Sequence, residues 1–277
     1  MPETPSASEV RKFDRRVSVL LRQAATAERD ELLAIADAIR EAQKDLREVA
    51  AAGDAFAIQL DRTARRLTAL DETVARLIDD AVPAAAQRGV SLVDDALDVI
   101  AAGTRTQAVI DPLDGAIAQA KASTRKHLQD LNTRMVYELS RLRGPQAVPL
   151  DEVLAAIGTK LRGSPVFGAP SAFISGAVRA TLGDVLGQAI STRSQQLADR
   201  DGIRTLKRWV HDPTVDEARE SHVRASARYA AGIPWDQKFE IGSYRTLYPR
   251  GAGLPGAHRF GCRCQVAPVL SMEEPSS

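Results

Sequence analysis

The sequence predicts a mainly α protein, in which a long helical, coiled-coil-like amino-terminal region is followed by a small α+β carboxyl-terminal module. Aromatic residues make up only 4% of a 277-residue chain that is 44% hydrophobic. Much of the apolar content is alanine, which favours helices and buries little surface. Apolar residues also repeat with heptad spacing in the first third of the chain. After Trp209, glycine and proline are frequent and most of the tyrosines are found, which is typical of a turn-rich module with short strands.

One apolar seam alternates steps of three and four residues over about six heptads, the pattern that lets a helix face pack against a partner helix. Gly53 lies on this seam and is a candidate turn between two antiparallel helices. The seam therefore fits an intrachain hairpin or bundle, which its small residues favour, or a coiled coil between chains. Its positions are Leu32, Ile35, Ile39, Ala42, Leu46, Val49, Gly53, Phe56, Leu60, Thr63, Leu67, Leu70, Val74 and Leu77.

Proline and glycine divide the rest of the helical region. Pro83 is predicted to end the first segment, because its ring blocks the preceding helical hydrogen bond. Further helices are expected over residues 91 to about 103, 113–144 and 171–209. The glycines of the last, Gly176, Gly183 and Gly187, either indicate close backbone packing or weaken the prediction of that helix. We expect a disordered tail at 1–10, a helical bundle or coiled coil at 11–145, a compact module at 146–270 and a tail at 271–277.

The charge distribution excludes a strong electrostatic field over the whole chain, since the net charge is only +1. Residues 202–270 hold 11 Lys and Arg against 6 Asp and Glu, so this part is basic. This part is either an ordinary basic surface or a binding surface, whose partner would be DNA phosphates or an acidic protein ring. The sequence shows no apolar run of about 20 residues and none of the common nucleotide-binding and metalloprotease motifs. From its first residues we expect no secretory signal.

The carboxyl-terminal module carries an ordered set of short motifs. Trp209 precedes an acidic and arginine-containing stretch that ends in Ser221 and His222, and a glycine followed by aspartate and phenylalanine comes next. The set closes with Pro-Gly and Cys-Arg-Cys. Over residues 205–266, a quarter of the chain, this order resembles the phage Mu F-like minor head proteins of the head-morphogenesis family. The residues that carry the resemblance are Trp209, Asp216, Arg219, His222, Gly232, Asp236, Cys262 and Cys264.

The resemblance implies a minor capsid protein that acts with the portal in procapsid assembly or genome delivery, and not an enzyme. Its implied partners are the portal protein, the major capsid or scaffolding protein and packaged DNA, with several copies in the particle and no membrane. Its implied location is the capsid interior or the portal vertex of the virion, after synthesis in the host cytoplasm. Two alternatives stay open: an enzyme or toxin-associated module with a site centred on His222, and a dimeric DNA-binding factor.

The two cysteines of the chain, Cys262 and Cys264, are one residue apart, and on a strand both side chains would point to the same face. With His222 and His258, or with His211 in place of His258, they could complete a tetrahedral zinc site. Such a site would stabilise a small module. The other interpretations are two reduced, partly buried thiols with a hydrogen-bonded His222, or a regulated thiol pair. Zinc is the one candidate cofactor.

Overall fold

Long helices dominate the architecture, and two small antiparallel sheets lie towards the carboxyl end. The computed structural model describes residues 5–51, 56–100, 106–142, 170–212 and 219–271. The predicted fold class, mainly α with a small α+β module, is confirmed. The described helices are α1 (Ala7–Ala51), α2 (Phe56–Leu97), α3 (Asp114–Leu142), α4 (Pro170–Asp201), α5 (Glu220–Arg228) and α6 (Gly256–Arg259); the strands are β1 (Thr205–Val210), β2 (Phe239–Ile241), β3 (Tyr244–Thr246) and β4 (Gln265–Leu270).

Helix α1 begins at Ala7, within the segment 1–10 for which disorder is predicted from the sequence. The cause is a capping box. The backbone N–H and hydroxyl of Ser6 donate to the Glu9 carboxylate at 2.7 and 2.6 Å, and the Glu9 N–H donates back to the Ser6 hydroxyl. These bonds satisfy donors that a helix start leaves unpaired, so the helix starts earlier than predicted.

Helix α2 contains Pro83 and continues to Leu97, so the predictions that Pro83 ends a helix and that a new helix starts at residue 91 are both wrong. A proline inside a helix costs about 3 kcal/mol, because it lacks a donor and crowds the preceding turn. Apolar burial on both sides of it offsets that cost, since Val82, Ala85 and Ala86 are at most 2% exposed.

The described seam residues of α1 and α2 are mostly buried within the single chain. Leu32, Ile35 and Ile39 of α1 are at most 5% exposed, as are Thr63, Leu67 and Val74 of α2. An ion pair of 2.9 Å between Arg66 Nη1 and Asp45 Oδ2 also joins the two helices. Both observations support the intrachain hairpin over the coiled coil between chains. Gly53, the candidate turn, lies outside the described residues.

Helix α4 ends at Asp201, and residues 205–210 form β1, so the prediction of one helix over 171–209 is wrong for its last part. Two of the glycines of α4, Gly183 and Gly187, pack closely, in both cases against a side chain of the loop that precedes α6. A Cβ atom on Gly183 would lie 2.0 Å from Arg250 Nε, and one on Gly187 would lie 2.9 Å from the Tyr248 ring. Only hydrogen at these positions admits the two side chains.

Within its described residues, the module contains two two-stranded sheets. Strand β1 pairs antiparallel with β4, with Trp209 opposite Val266, and β2 pairs with β3. A single bridge also links Lys207 of β1 to Ile233. One apolar core contains both tryptophans, both cysteines and the inward residues of the sheets, and it includes apolar residues of α1, α2 and α4. The module is therefore packed into a larger helical unit.

The chain divides into two compact units, each built from separate segments. The first comprises residues 1–29, 82–120 and 179–277, and the second comprises residues 30–81 and 121–178. All four long helices contribute residues to both units. The predicted boundary between 145 and 146 lies outside the described residues. None of the described helices combines the length and apolar character that a membrane span needs.

Candidate metal centre

The β1–β4 ladder brings the two cysteines to the core of the module. Cys264 directly precedes β4, whose first residue, Gln265, pairs with Val210. Gly261 has a φ of 71°, a left-handed conformation that suits glycine, and it turns the chain from α6 towards Cys262. Both cysteines are 3% exposed and belong to the same apolar cluster as Trp209.

Helix α5 supplies His222 to the same place. His222, Ala225 and Tyr229 are buried at spacings of three and four residues, which form one helix face. The Arg219 guanidinium donates to the Phe260 carbonyl at 2.9 Å and so ties the start of α5 to the turn before Cys262. The His222 ring meets the Trp209 ring edge-on, with centroids 5.3 Å apart. The indole therefore forms one wall of the centre.

The inner nitrogen of His222 faces both thiols. Nδ1 lies 3.4 Å from Cys262 Sγ and 3.6 Å from Cys264 Sγ. The three ligand atoms lie within 4.8 Å of one another, and His222 is 2% exposed. In the part of the chain that the structure describes, this is the one group of three His, Cys, Asp or Glu side chains that could hold a metal ion.

The outer nitrogen of His222 contacts His258 instead. His222 Nε2 lies 3.1 Å from His258 Nδ1, and the two ring planes differ by only 24°. His258 lies on α6, is half-buried, and packs against the Tyr244 ring at 5.3 Å. Burial lowers the pKa of His258, and the nearby His222 and Arg219 lower it further, which favours the neutral ring. His258 is thus brought to the centre, but on the side of the His222 ring away from the thiols.

The thiols differ in their electrostatics. The hydrogen bond with Cys264 lowers the pKa of Cys262 to about 4 against the opposing effect of burial, and His222 and Arg250 lower it further. The pKa of Cys264 is raised, because it keeps its proton for that bond and is buried. One thiolate is therefore favoured before any cation enters, and a divalent metal requires thiolate ligands.

Arg250 is a buried cation that the sequence analysis does not identify. It is 1% exposed and has a φ of 69°. Its Nη1 donates to Glu28 Oε2 at 2.7 Å and to the Arg179 carbonyl at 3.1 Å. Its own carbonyl accepts from Arg259 Nε at 2.9 Å. Arg250 therefore links α1 and α4 to the loop that leads to α6.

Lys207 is another buried cation that is missing from the sequence-based predictions. It is fully buried, and its Nζ donates to the Trp235 carbonyl at 2.7 Å and the Leu247 carbonyl at 3.0 Å. The Phe239 ring lies 5.2 Å from the same nitrogen. Burial lowers its pKa to about 8, although the charge of Asp236 acts in the opposite direction. Because lysine occupies a buried position of β1, the sequence of this strand does not show the alternation of apolar and polar residues that predicts a strand.

The structure brings together most of the motif residues. Trp209, Arg219, His222, Cys262 and Cys264 all take part in the centre or its immediate support. Gly232 makes a turn with φ of 90° against β1, and Asp236 is an exposed turn residue. The ring of His211 is not in the metal-binding group, and its backbone N–H donates to Ser226 Oγ. Asp216 lies outside the described residues.

Comparison with known proteins gives no relative to set beside this centre: no family model, no curated protein and no solved structure matches the chain.

Proposed function

We propose that this chain is a minor capsid protein of the phage head-morphogenesis type, and that a zinc ion holds its carboxyl-terminal module together. The strongest support is that separate motif residues come together at one place in the structure. Trp209, His222 and the Cys-Arg-Cys segment are separate parts of the resemblance, yet they pack around one buried centre. Motif residues that share one structural centre are expected if the motif specifies a folded module.

Zinc fits the three donors. With Zn–S near 2.3 Å and Zn–N near 2.0–2.1 Å, a tetrahedral ion holds sulfur and nitrogen about 3.6 Å apart. The two Nδ1–Sγ distances, 3.4 and 3.6 Å, are close to this value. Two thiolates and one imidazole form a donor set that suits zinc. Cys262, Cys264 and His222 would hold the ion, which would link α5 to the start of β4 and add its binding energy to folding.

The surroundings of His222 favour a structural role over the enzymatic alternative. Its ring is 2% exposed, Nδ1 faces the thiols and Nε2 contacts His258. A general base needs a nitrogen that can reach a substrate proton, directly or through water. Both nitrogens already have protein partners, so the ring is better suited to binding an ion than to hydrolysis.

The DNA-binding alternative has less support than the capsid role. It requires a dimerising coiled coil, but most of the described seam residues are buried within one chain. Several exposed arginines of the module also have acidic partners: Arg224 pairs with Glu220 at 2.9 Å, and Arg228 and Arg245 both pair with Glu240 at 3.0 Å. Contact with packaged DNA is kept in the proposal as a secondary partner, after the portal protein and the major capsid or scaffolding protein.

Quantitative mass spectrometry of purified particles tests the capsid role. We expect the protein at a few to a few dozen copies per particle in mature virions, or in immature heads if it leaves during maturation. A Cys262→Ser variant should be incorporated less, because its module loses the metal. Absence of the wild-type protein from both mature and immature heads would refute the capsid role. The proposed metal site is tested separately and would not be affected by that result.

A further inference from the structure

A histidine ligand can present either ring nitrogen to a metal, and the partner of the other nitrogen decides which one carries the proton. In His222, Nδ1 faces Cys262 and Cys264 at 3.4 and 3.6 Å. Metal binding there requires a lone pair on Nδ1, so the proton must be on Nε2. An acceptor beside Nε2 would fix this tautomer and hold the ring in place.

His258 is placed to be that acceptor. Its Nδ1 lies 3.1 Å from His222 Nε2, within hydrogen-bonding distance. The ring centroids lie 5.4 Å apart although the two nitrogens are only 3.1 Å apart, so the rings meet edge to edge. With ring planes only 24° apart, the lone pair of one ring then lies close to the N–H direction of the other. The Tyr244 ring packs against the His258 ring, and the backbone N–H of His258 donates to the Pro255 carbonyl at 2.9 Å. The backbone of His258 is therefore fixed in α6, and its ring is supported by a neighbouring side chain.

His258 is also badly placed to bind the ion itself. It contacts the outer nitrogen of His222, whereas the inner nitrogen of the same ring faces the thiols. The group of side chains that could share an ion contains His222, Cys262 and Cys264 but not His258. A role as ligand would require His258 to move around the His222 ring.

We propose that His258 is a positioning residue for the metal centre: it accepts the Nε2–H of His222, keeps the Nδ1 lone pair directed at the two thiols, and does not bind the ion. This inference rests on the proposed metal centre. Loss of an outer-shell partner of this kind typically costs about 10- to 100-fold in metal affinity. We expect a loss of that size when His258 cannot accept a hydrogen bond.

Cobalt(II) titration of the full chain tests this role, because tetrahedral Co(II) with thiolate ligands gives absorption bands that report the donor set. Three variants are compared with the wild type. His258→Leu removes the acceptor, and His258→Asn can place an amide oxygen near the position of Nδ1. His211→Ala is the matched control, because its ring belongs to the same module but not to the metal-binding group. Tryptophan fluorescence checks that each variant is folded.

The expected result is that His258→Leu binds Co(II) about 10- to 100-fold more weakly but reaches the wild-type spectrum at saturation. His258→Asn should recover most of the affinity, and His211→Ala should match the wild type. Unchanged affinity in His258→Leu refutes the positioning role alone. A different spectrum at saturation shows that His258 is a ligand and also refutes it. A wild-type chain that takes up no cobalt refutes the metal centre itself, and the positioning role with it.

Discussion

Gly183→Ala should destabilise the first compact unit, because the alanine methyl needs space that the buried Arg250 guanidinium occupies. A Cβ atom there would lie 2.0 Å from Arg250 Nε and 2.1 Å from Cζ. The guanidinium cannot move without losing its bonds to Glu28 and to the Arg179 carbonyl. Breaking a buried ion pair costs about 3–5 kcal/mol, whereas Gly→Ala in a helix gains about 1 kcal/mol, which leaves a net loss of about 2–4 kcal/mol.

Urea unfolding followed by tryptophan fluorescence measures this loss, since Trp209 and Trp235 are both buried in the module. The matched control is Gly115→Ala in α3, where an added Cβ meets no atom within 4 Å. That change should be neutral or stabilising by up to about 1 kcal/mol. In an Arg250→Ala background, Gly183→Ala should lose its cost, because the clashing group is gone. A Gly183→Ala protein as stable as the wild type would refute the reasoning.

Three further predictions concern the helices and the buried Lys207. Pro83→Ala should raise the free energy of unfolding by up to about 3 kcal/mol, measured by chemical denaturation, and a decrease would contradict the interior position of the proline. Ser6→Ala should cost about 1 kcal/mol and speed hydrogen exchange in the first turn of α1; unchanged exchange would argue against the capping box. The unfolded chain keeps the Lys207 proton up to a pKa of 10.5, but the folded chain only up to about 8. The free energy of unfolding should therefore rise between about pH 8 and pH 10.5, and Lys207→Met should remove this rise. A rise of the same size in Lys207→Met would contradict the assignment to Lys207.

The fold class follows from composition and periodicity, because heptad spacing and alanine content act over many residues. The predictions fail where a single residue decides an element. Pro83 has a local cost that burial of Val82, Ala85 and Ala86 offsets, and a sequence window does not measure that burial. The predicted end of α4 is too late, because Lys207 occupies an inward position of β1 and hides the alternation of that strand.

The centre was predictable in its chemistry but not in its full geometry. Cys262, Cys264 and His222 could be chosen as ligands because thiol and imidazole side chains bind metals and the cysteines are one residue apart. His258 is a candidate ligand for the same reason, but its position on α6 places it at the outer nitrogen of His222. No periodicity marks Arg250, whose burial depends on Glu28, 222 residues away in sequence.

The most direct test of the metal centre is the zinc content of the purified full chain by elemental mass spectrometry, measured with its urea unfolding before and after chelation. We predict one zinc ion per chain, its loss in Cys262→Ser, and a lower unfolding midpoint of the tryptophan signal after chelation. A wild-type protein that binds no zinc when supplied with it, and unfolds identically with and without chelator, would contradict the proposal that His222, Cys262 and Cys264 form a metal centre.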